Sequence, residues 1–141
     1  TTQKGALVEV VKKCKDNGIQ VSLFINPDKD QITASKEVGA QSVELHTGKY
    51  ANATDEKQCN ELLEELVEGV RVARSLGLGV NAGHGLTYKN TGPVVERLDI
   101  EELHIGHSII SRAIFVGLKK AVWEMKELIH KHHVIKQLSE H

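Results

Sequence analysis

A strand-like run followed by a helix-like stretch recurs along this chain, and the recurrence limits its possible folds more than any other feature. Residues 6–15 place Leu7, Val10, Val11 and Cys14 at three- and four-residue spacings, the period of an amphipathic helix, and Asn17-Gly18 stops it. A β-rich run extends from Ile19 to Ile25 and is closed by Asn26-Pro27-Asp28. A helical stretch follows from about Asp30 to Val38, ended by Gly39. Ser42 to His46 reads as a short strand, Asp55 to Leu76 as a long helix, and Gly79 to Ala82 and Glu102 to Ile105 as two further strands. The last helix is predicted to begin near Ser108 and run past Glu127, and the polar tail from His130 to His141 is expected to fray. Strands and helices alternating over short connections define right-handed βαβ units and a parallel sheet, so the class is α/β.

Strands starting near 19, 42, 79 and 102 recur about every 28 residues, close to the roughly 30 expected when about 250 residues make eight βα units. The 141 residues therefore suit about half of a TIM (β/α)8 barrel, and not a whole one. Alternation within the strands weighs this against a doubly wound sheet, whose strands are covered on both faces and tend to read as continuous apolar runs. Val43 and Leu45 oppose Glu44 and His46, Val80 and Ala82 oppose Asn81, and Leu103 and Ile105 oppose Glu102 and His104. An oily face against helices and a face of carboxylates, imidazoles and amides suit the polar upper pore of an enzyme barrel.

Composition narrows the function classes. Eighteen Lys+Arg against 19 Asp+Glu leave a formal charge of −1, which gives no electrostatic footprint for nucleic acid or an anionic membrane. No apolar run approaches the roughly 20 residues of a membrane span. Cys14 and Cys59 lie far apart without a CxxC pair, so neither a disulfide framework nor a zinc site is expected, and reduced thiols in a cytoplasm fit best. The opening Thr1-Thr2-Gln3-Lys4-Gly5 has no Met and no signal-peptide pattern, and is expected to be cut from something longer.

The chemistry-bearing strings sit at the ends of the last two strands. Asn81-Ala82-Gly83-His84-Gly85-Leu86 follows one strand, and Ile105-Gly106-His107-Ser108 joins the next to the final helix. Glycines let a ligand approach the backbone, and the free N–H groups at a helix start favour an anion. If these are barrel strands seven and eight, this is a usual place for a phosphate; otherwise Gly83, Gly85 and Gly106 are turn glycines. His84, between two glycines, is a candidate proton donor or an ordinary hydrogen-bonded loop histidine. Glu44 projects into the pore, where it either stabilises developing positive charge or forms a structural ion pair. For Thr47 and Gly48, turn chemistry is favoured over ligand binding. His104 is expected to form a core hydrogen-bond pair with Glu102. The tail histidines His130, His132 and His133 lack acidic or Cys partners at ligand spacing, so a solvated helix end is preferred over a metal site. Trp123 and Met125 are expected to pack against the barrel wall.

At these residues the chain resembles a known family. Val21-Ser-Leu-Phe-Ile25, Glu44-Leu-His-Thr-Gly48, Val80-Asn-Ala-Gly-His-Gly-Leu-Thr-Tyr88 and Ile105-Gly106-His107 together look like the pyridoxine 5′-phosphate synthases, the ring-closing enzymes of bacterial vitamin B6 biosynthesis. The resemblance covers essentially the whole chain and corresponds to the second half of such an enzyme, beginning in the loop after the fourth barrel strand. It implies a single TIM-barrel domain to which this chain supplies about the last four βα units. The implied reaction condenses 1-deoxy-D-xylulose 5-phosphate with 3-amino-1-hydroxyacetone 1-phosphate, releasing phosphate and water, without metal or organic cofactor.

By the same resemblance His84 matches the proton donor and Glu44 the carboxylate that stabilises the transition state. Gly85, Gly106 and His107 match the contacts to the amino-ketone phosphate. The implied partners are small phosphorylated substrates, the N-terminal half of the barrel, and further copies in dimers and an octamer, with neither nucleic acid nor membrane. The family's remaining catalytic histidine and glutamate have no counterpart in these residues, so the fragment alone is expected to be inactive. Two other readings stay open, a different barrel enzyme acting on a sugar phosphate and a non-catalytic half-barrel that binds a phosphometabolite. No lysine falls at a strand end in these strings, which argues against a Schiff-base aldolase.

Overall fold

The computed structural model describes residues 4–139. Helix α1, Lys4–Asp16, carries Lys13 and Lys15 in its last turn and ends at Asn17-Gly18, where Gly18 takes a positive φ of 73°. Strand β1 is shorter than the apolar run that contains it. Regular pairing covers only Ser22–Ile25, while Val21 bonds the Gln41 side chain through its N–H. Helix α2, Lys29–Glu37, is capped by Asp28, whose carboxylate accepts from the Gln31 N–H at 3.0 Å.

Strand β2, Ser42–His46, leads into a single helical turn, α3, Gly48–Ala51, and then into the long helix α4, Glu56–Ser75. Asp55 caps α4 as Asp28 caps α2, with a 2.8 Å bond from the Gln58 N–H. Strand β3, Gly79–Gly83, the short helix α5, Thr91–Arg97, and strand β4, Glu102–His104, follow. The chain closes with α6, His107–Val116, and α7, Leu118–Ser139.

The four strands are parallel and lie in sequence order, β1-β2-β3-β4. Register puts Phe24, Glu44, Asn81 and Glu102 in one row, with His46, Gly83 and His104 in a row two residues nearer the carboxyl ends. The opposite face is apolar. Val43, Leu45, Val80 and Ala82 are completely buried against Ile32, Leu63, Leu66, Val70, Ala73 and Val94 from α2, α4 and α5. The predicted two-faced α/β sheet is therefore present, with helices on one side and polar groups on the other.

Three expectations need correction. The final helix is broken at Gly117, whose φ of 82° and ψ of 151° no helix interior accepts, so α6 and α7 form a hairpin. The tail does not fray as far as Ser139; residues 140 and 141, like 1–3, lie outside the described residues. Lys136 Nζ donates to the Leu98 carbonyl at 2.9 Å, and His132 Nδ1 lies 2.6 Å from Glu96 Oε1, its ring resting on Gly92. These contacts dock the polar tail on α5, a helix that the Gly92-Pro93 pair hides in the sequence although proline is tolerated in a first helical turn. Third, Met125 is buried as expected, but Trp123 on the neighbouring face of α7 is 57% exposed.

Candidate active site

Side-chain bonds beyond the sheet draw the loops at the carboxyl ends of the strands together. Buried Thr47 donates its N–H to the Gly83 carbonyl at 2.8 Å, and its hydroxyl lies 2.7 Å from the same carbonyl and 2.5 Å from that of His84. That fixes the loop after β2 against the loop after β3, the turn chemistry expected of Thr47. Ser108, in the first turn of α6, donates its hydroxyl to the Leu86 carbonyl at 2.7 Å and fastens the loop after β3 to the loop after β4. The two glycine-bearing junctions therefore converge on one cleft of about 580 Å³.

Glu44, His84, Gly85, His104, Gly106 and His107 are among the residues lining this cleft, so all five sequence-predicted site residues share it. His84 has a φ of +80° and is the one non-glycine residue with positive φ among the described residues. Held in that uncommon conformation, its ring stacks on His46 with centroids 4.6 Å apart and planes 24° apart. Phe24 lies against the same pair, 5.0 Å from His46 and 6.3 Å from His84. Nδ1 of His46 accepts the Gly48 N–H at 3.2 Å, which assigns the ring proton of the neutral form to Nε2. Burial, followed by the neighbouring His84, pulls the His46 pKa below its ordinary 6.5 and favours that neutral form.

Glu44 lies across Gly83 and meets His104, with Oε2 2.6 Å from Nδ1, while Nε2 of the same ring is 3.2 Å from Glu102 Oε2. The expected His104–Glu102 contact exists, but it is half exposed and secondary to the bond with Glu44. Hydrogen bonding to Glu44 is the largest cause that raises the His104 pKa above 6.5, with Glu102 adding to it against partial desolvation.

Gly106 caps α6, and a Cβ there would meet nothing within 4 Å. No side-chain cap bond is made there, so the helix start is uncovered at Gly106, the setting in which it can accept an anion. Gly85 differs: it needs its positive φ of 77°, and a Cβ would lie 2.8 Å from that of Ala51, so its lack of a side chain serves packing as well as access. No group of three or more His, Cys, Asp or Glu suited to a metal occurs among the described residues, and no described helix is long and apolar enough to cross a membrane.

Sequence reasoning did not single out Phe24, which lines the cleft, or His46, whose ring stacks on His84. Asn81 is buried between Glu44 and Glu102 in the register, with its side-chain carbonyl unpartnered among the described residues. For His46 a polar side chain on an inward strand position was the available signal.

A parallel α/β sheet with a polar cleft at the carboxyl ends of its strands is the arrangement of an α/β enzyme. Residues 1–131 match the family model described as pyridoxal phosphate biosynthesis protein PdxJ, and the chain belongs to that family. It is 54% identical over 125 residues to the pyridoxine 5′-phosphate synthase of Synechococcus sp. (strain JA-2-3B'a(2-13)), covering 89% of this chain and 52% of that protein. Against the enzyme of the same name from Magnetococcus marinus it is 49% identical over 125 residues, covering 89% and 51%. For that of Thermosynechococcus vestitus the identity is 50% over 128 residues, covering 91% and 54%. The chain thus spans about half the length of the curated relatives it matches.

Proposed function

We propose that this chain is the C-terminal half of a pyridoxine 5′-phosphate synthase, the last four βα units of a TIM barrel beginning in the loop after its fourth strand. The carrying observation is that His84, Glu44 and the open start of α6 at Gly106 share one cleft. In this reading the enzyme condenses 1-deoxy-D-xylulose 5-phosphate with 3-amino-1-hydroxyacetone 1-phosphate. The phosphate of the amino ketone sits against the N–H groups at Gly106 and His107, with Gly85 lining the approach.

Joining an amine to a ketone passes through cationic species, which a fixed carboxylate stabilises; Glu44 serves that purpose. Expelling water requires a proton for the departing oxygen, which His84 delivers. The deoxyxylulose phosphate pocket and a general base come from the first four units. Two edge strands, β1 and β4, each with one neighbour in the described sheet, provide the surfaces on which those units close the barrel.

The test is to assay pyridoxine 5′-phosphate formation by the chain alone and after mixing with a polypeptide that supplies the first four units of a relative. Product from the mixture and none from the chain alone is the expected result. A mixture that assembles, binds the amino-ketone phosphate and forms no product would instead favour a phosphometabolite-binding half-barrel.

A further inference from the structure

Glu44 and His104 belong to strands that are not neighbours. Register aligns Glu44 with Asn81 and Glu102, whereas His104 sits one inward position further along, beside Gly83. Parallel strands lie about 4.8 Å apart, so a contact between β2 and β4 spans roughly 10 Å of sheet and passes over β3. Any side chain at position 83 would stand in its way. A Cβ built on Gly83 overlaps Glu44 Oε1 and comes within 3.0 Å of the His104 Cβ. The glutamate therefore lies on bare backbone to reach Nδ1 of His104.

The second ring nitrogen also faces a carboxylate, that of Glu102. Carboxylates only accept, and a neutral imidazole has a single N–H, so both contacts are hydrogen bonds only when the ring carries two protons. We propose that His104 is a positioning residue: as an imidazolium braced from behind by Glu102, it fixes the Glu44 carboxylate over Gly83 at the wall of the cleft.

This inference deepens the synthase reading and rests on Glu44 being the carboxylate that meets developing positive charge. A carboxylate already held in place needs no reorganisation as that charge appears. The charged groups facing His104 are Glu44 from β2 and Glu102 on its own strand, while β3 presents only Gly83; His84 and His107 share the cleft. Two acidic neighbours favour the protonated ring, in line with its raised pKa. The brace is complete at acidic pH and is lost as the pH climbs through the His104 pKa.

Nuclear magnetic resonance of the histidine rings in the intact polypeptide reads this brace without turnover. At pH 6 both ring nitrogens of His104 are expected to be protonated, and Glu44→Gln should lower its pKa by about one unit. A singly protonated ring at pH 6, or a pKa unmoved by Glu44→Gln, overturns the brace whatever the chain catalyses. Turnover of the reconstituted barrel supplies a second arm. His104→Leu should lower kcat about tenfold with KM changed less than about twofold, and His104→Gln, which keeps a donor, should recover most of the loss. An unchanged kcat, or a loss confined to KM, overturns the positioning role. Should His104→Leu fail to fold, the Glu44→Gln titration still decides. Absence of ring closure beside an intact coupled titration counts against the synthase reading alone.

Discussion

The imidazoles of His46 and His84 are stacked at 4.6 Å, and the backbone N–H of Gly48 holds the His46 ring through Nδ1. Burial disfavours the charged form of His46, and the second imidazole beside it adds to that, so its pKa lies below 6.5. Because the folded state binds this proton more weakly than the unfolded state, the contribution of His46 to stability is complete above about pH 6.5 and is lost as the pH falls toward the depressed folded value. His46→Phe keeps a ring and removes the titration. Its stability relative to the parent is expected to improve as the pH is lowered from 7.5 to 5.5, read from urea midpoints; a pH-independent difference would refute the assignment.

His104 acts with the opposite sign. Its folded pKa is raised, so its stabilisation is complete below the unfolded value of 6.5 and is lost as the pH rises through the folded value. Relative to the parent, His104→Asn should be most destabilised near pH 5.5, with the gap closing toward pH 9. A gap that widens with pH in the same urea titrations would contradict the ion pair with Glu44.

Gly83→Ala should displace the Glu44 carboxylate and strain the β3–β4 pairing, because the added Cβ would also lie 2.9 Å from the His104 carbonyl oxygen. A loss of about 1–3 kcal/mol is expected, as for other overpacked interior positions. Calorimetric unfolding of parent and variant measures it, and an unchanged midpoint would show that the carboxylate can leave Gly83 at no cost.

Gly106→Val separates binding from folding. Position 106 has an ordinary negative φ and no neighbour within 4 Å of a Cβ, so the loss of stability should be confined to the poorer helix cap, about 1 kcal/mol. The isopropyl group would nevertheless crowd the start of α6. Calorimetric titration of the reconstituted barrel with the amino-ketone phosphate should show affinity weakened about tenfold or more, and unaltered affinity would remove the anion from this helix start.

Alternation made the sheet legible. Val43-Glu44-Leu45-His46 and Val80-Asn81-Ala82 announce two faces, and the structure buries Val43, Leu45, Val80 and Ala82 completely. The glycine-bearing strings after β3 and β4 were equally visible, and tertiary bonds from Thr47 and Ser108 bring them together. What escaped depends on relations between strands. The positive φ that aims His84 at His46 follows from its loop conformation, and the diagonal reach of Glu44 to His104 exists because an intervening residue, Gly83, has no side chain. Likewise the tail reads as solvated until α5 is seen to offer Glu96 and the Leu98 carbonyl to His132 and Lys136.

The central claim is that His84 delivers a proton in a ring closure carried out beside Glu44. It is tested most directly by single-turnover formation of pyridoxine 5′-phosphate in the reconstituted barrel, comparing the parent with His84→Asn. The substitution removes the proton donor and little volume, so the rate should fall at least about 100-fold while substrate affinity and the unfolding midpoint stay near parental values. A His84→Asn barrel that closes the ring at the parental rate would contradict the account.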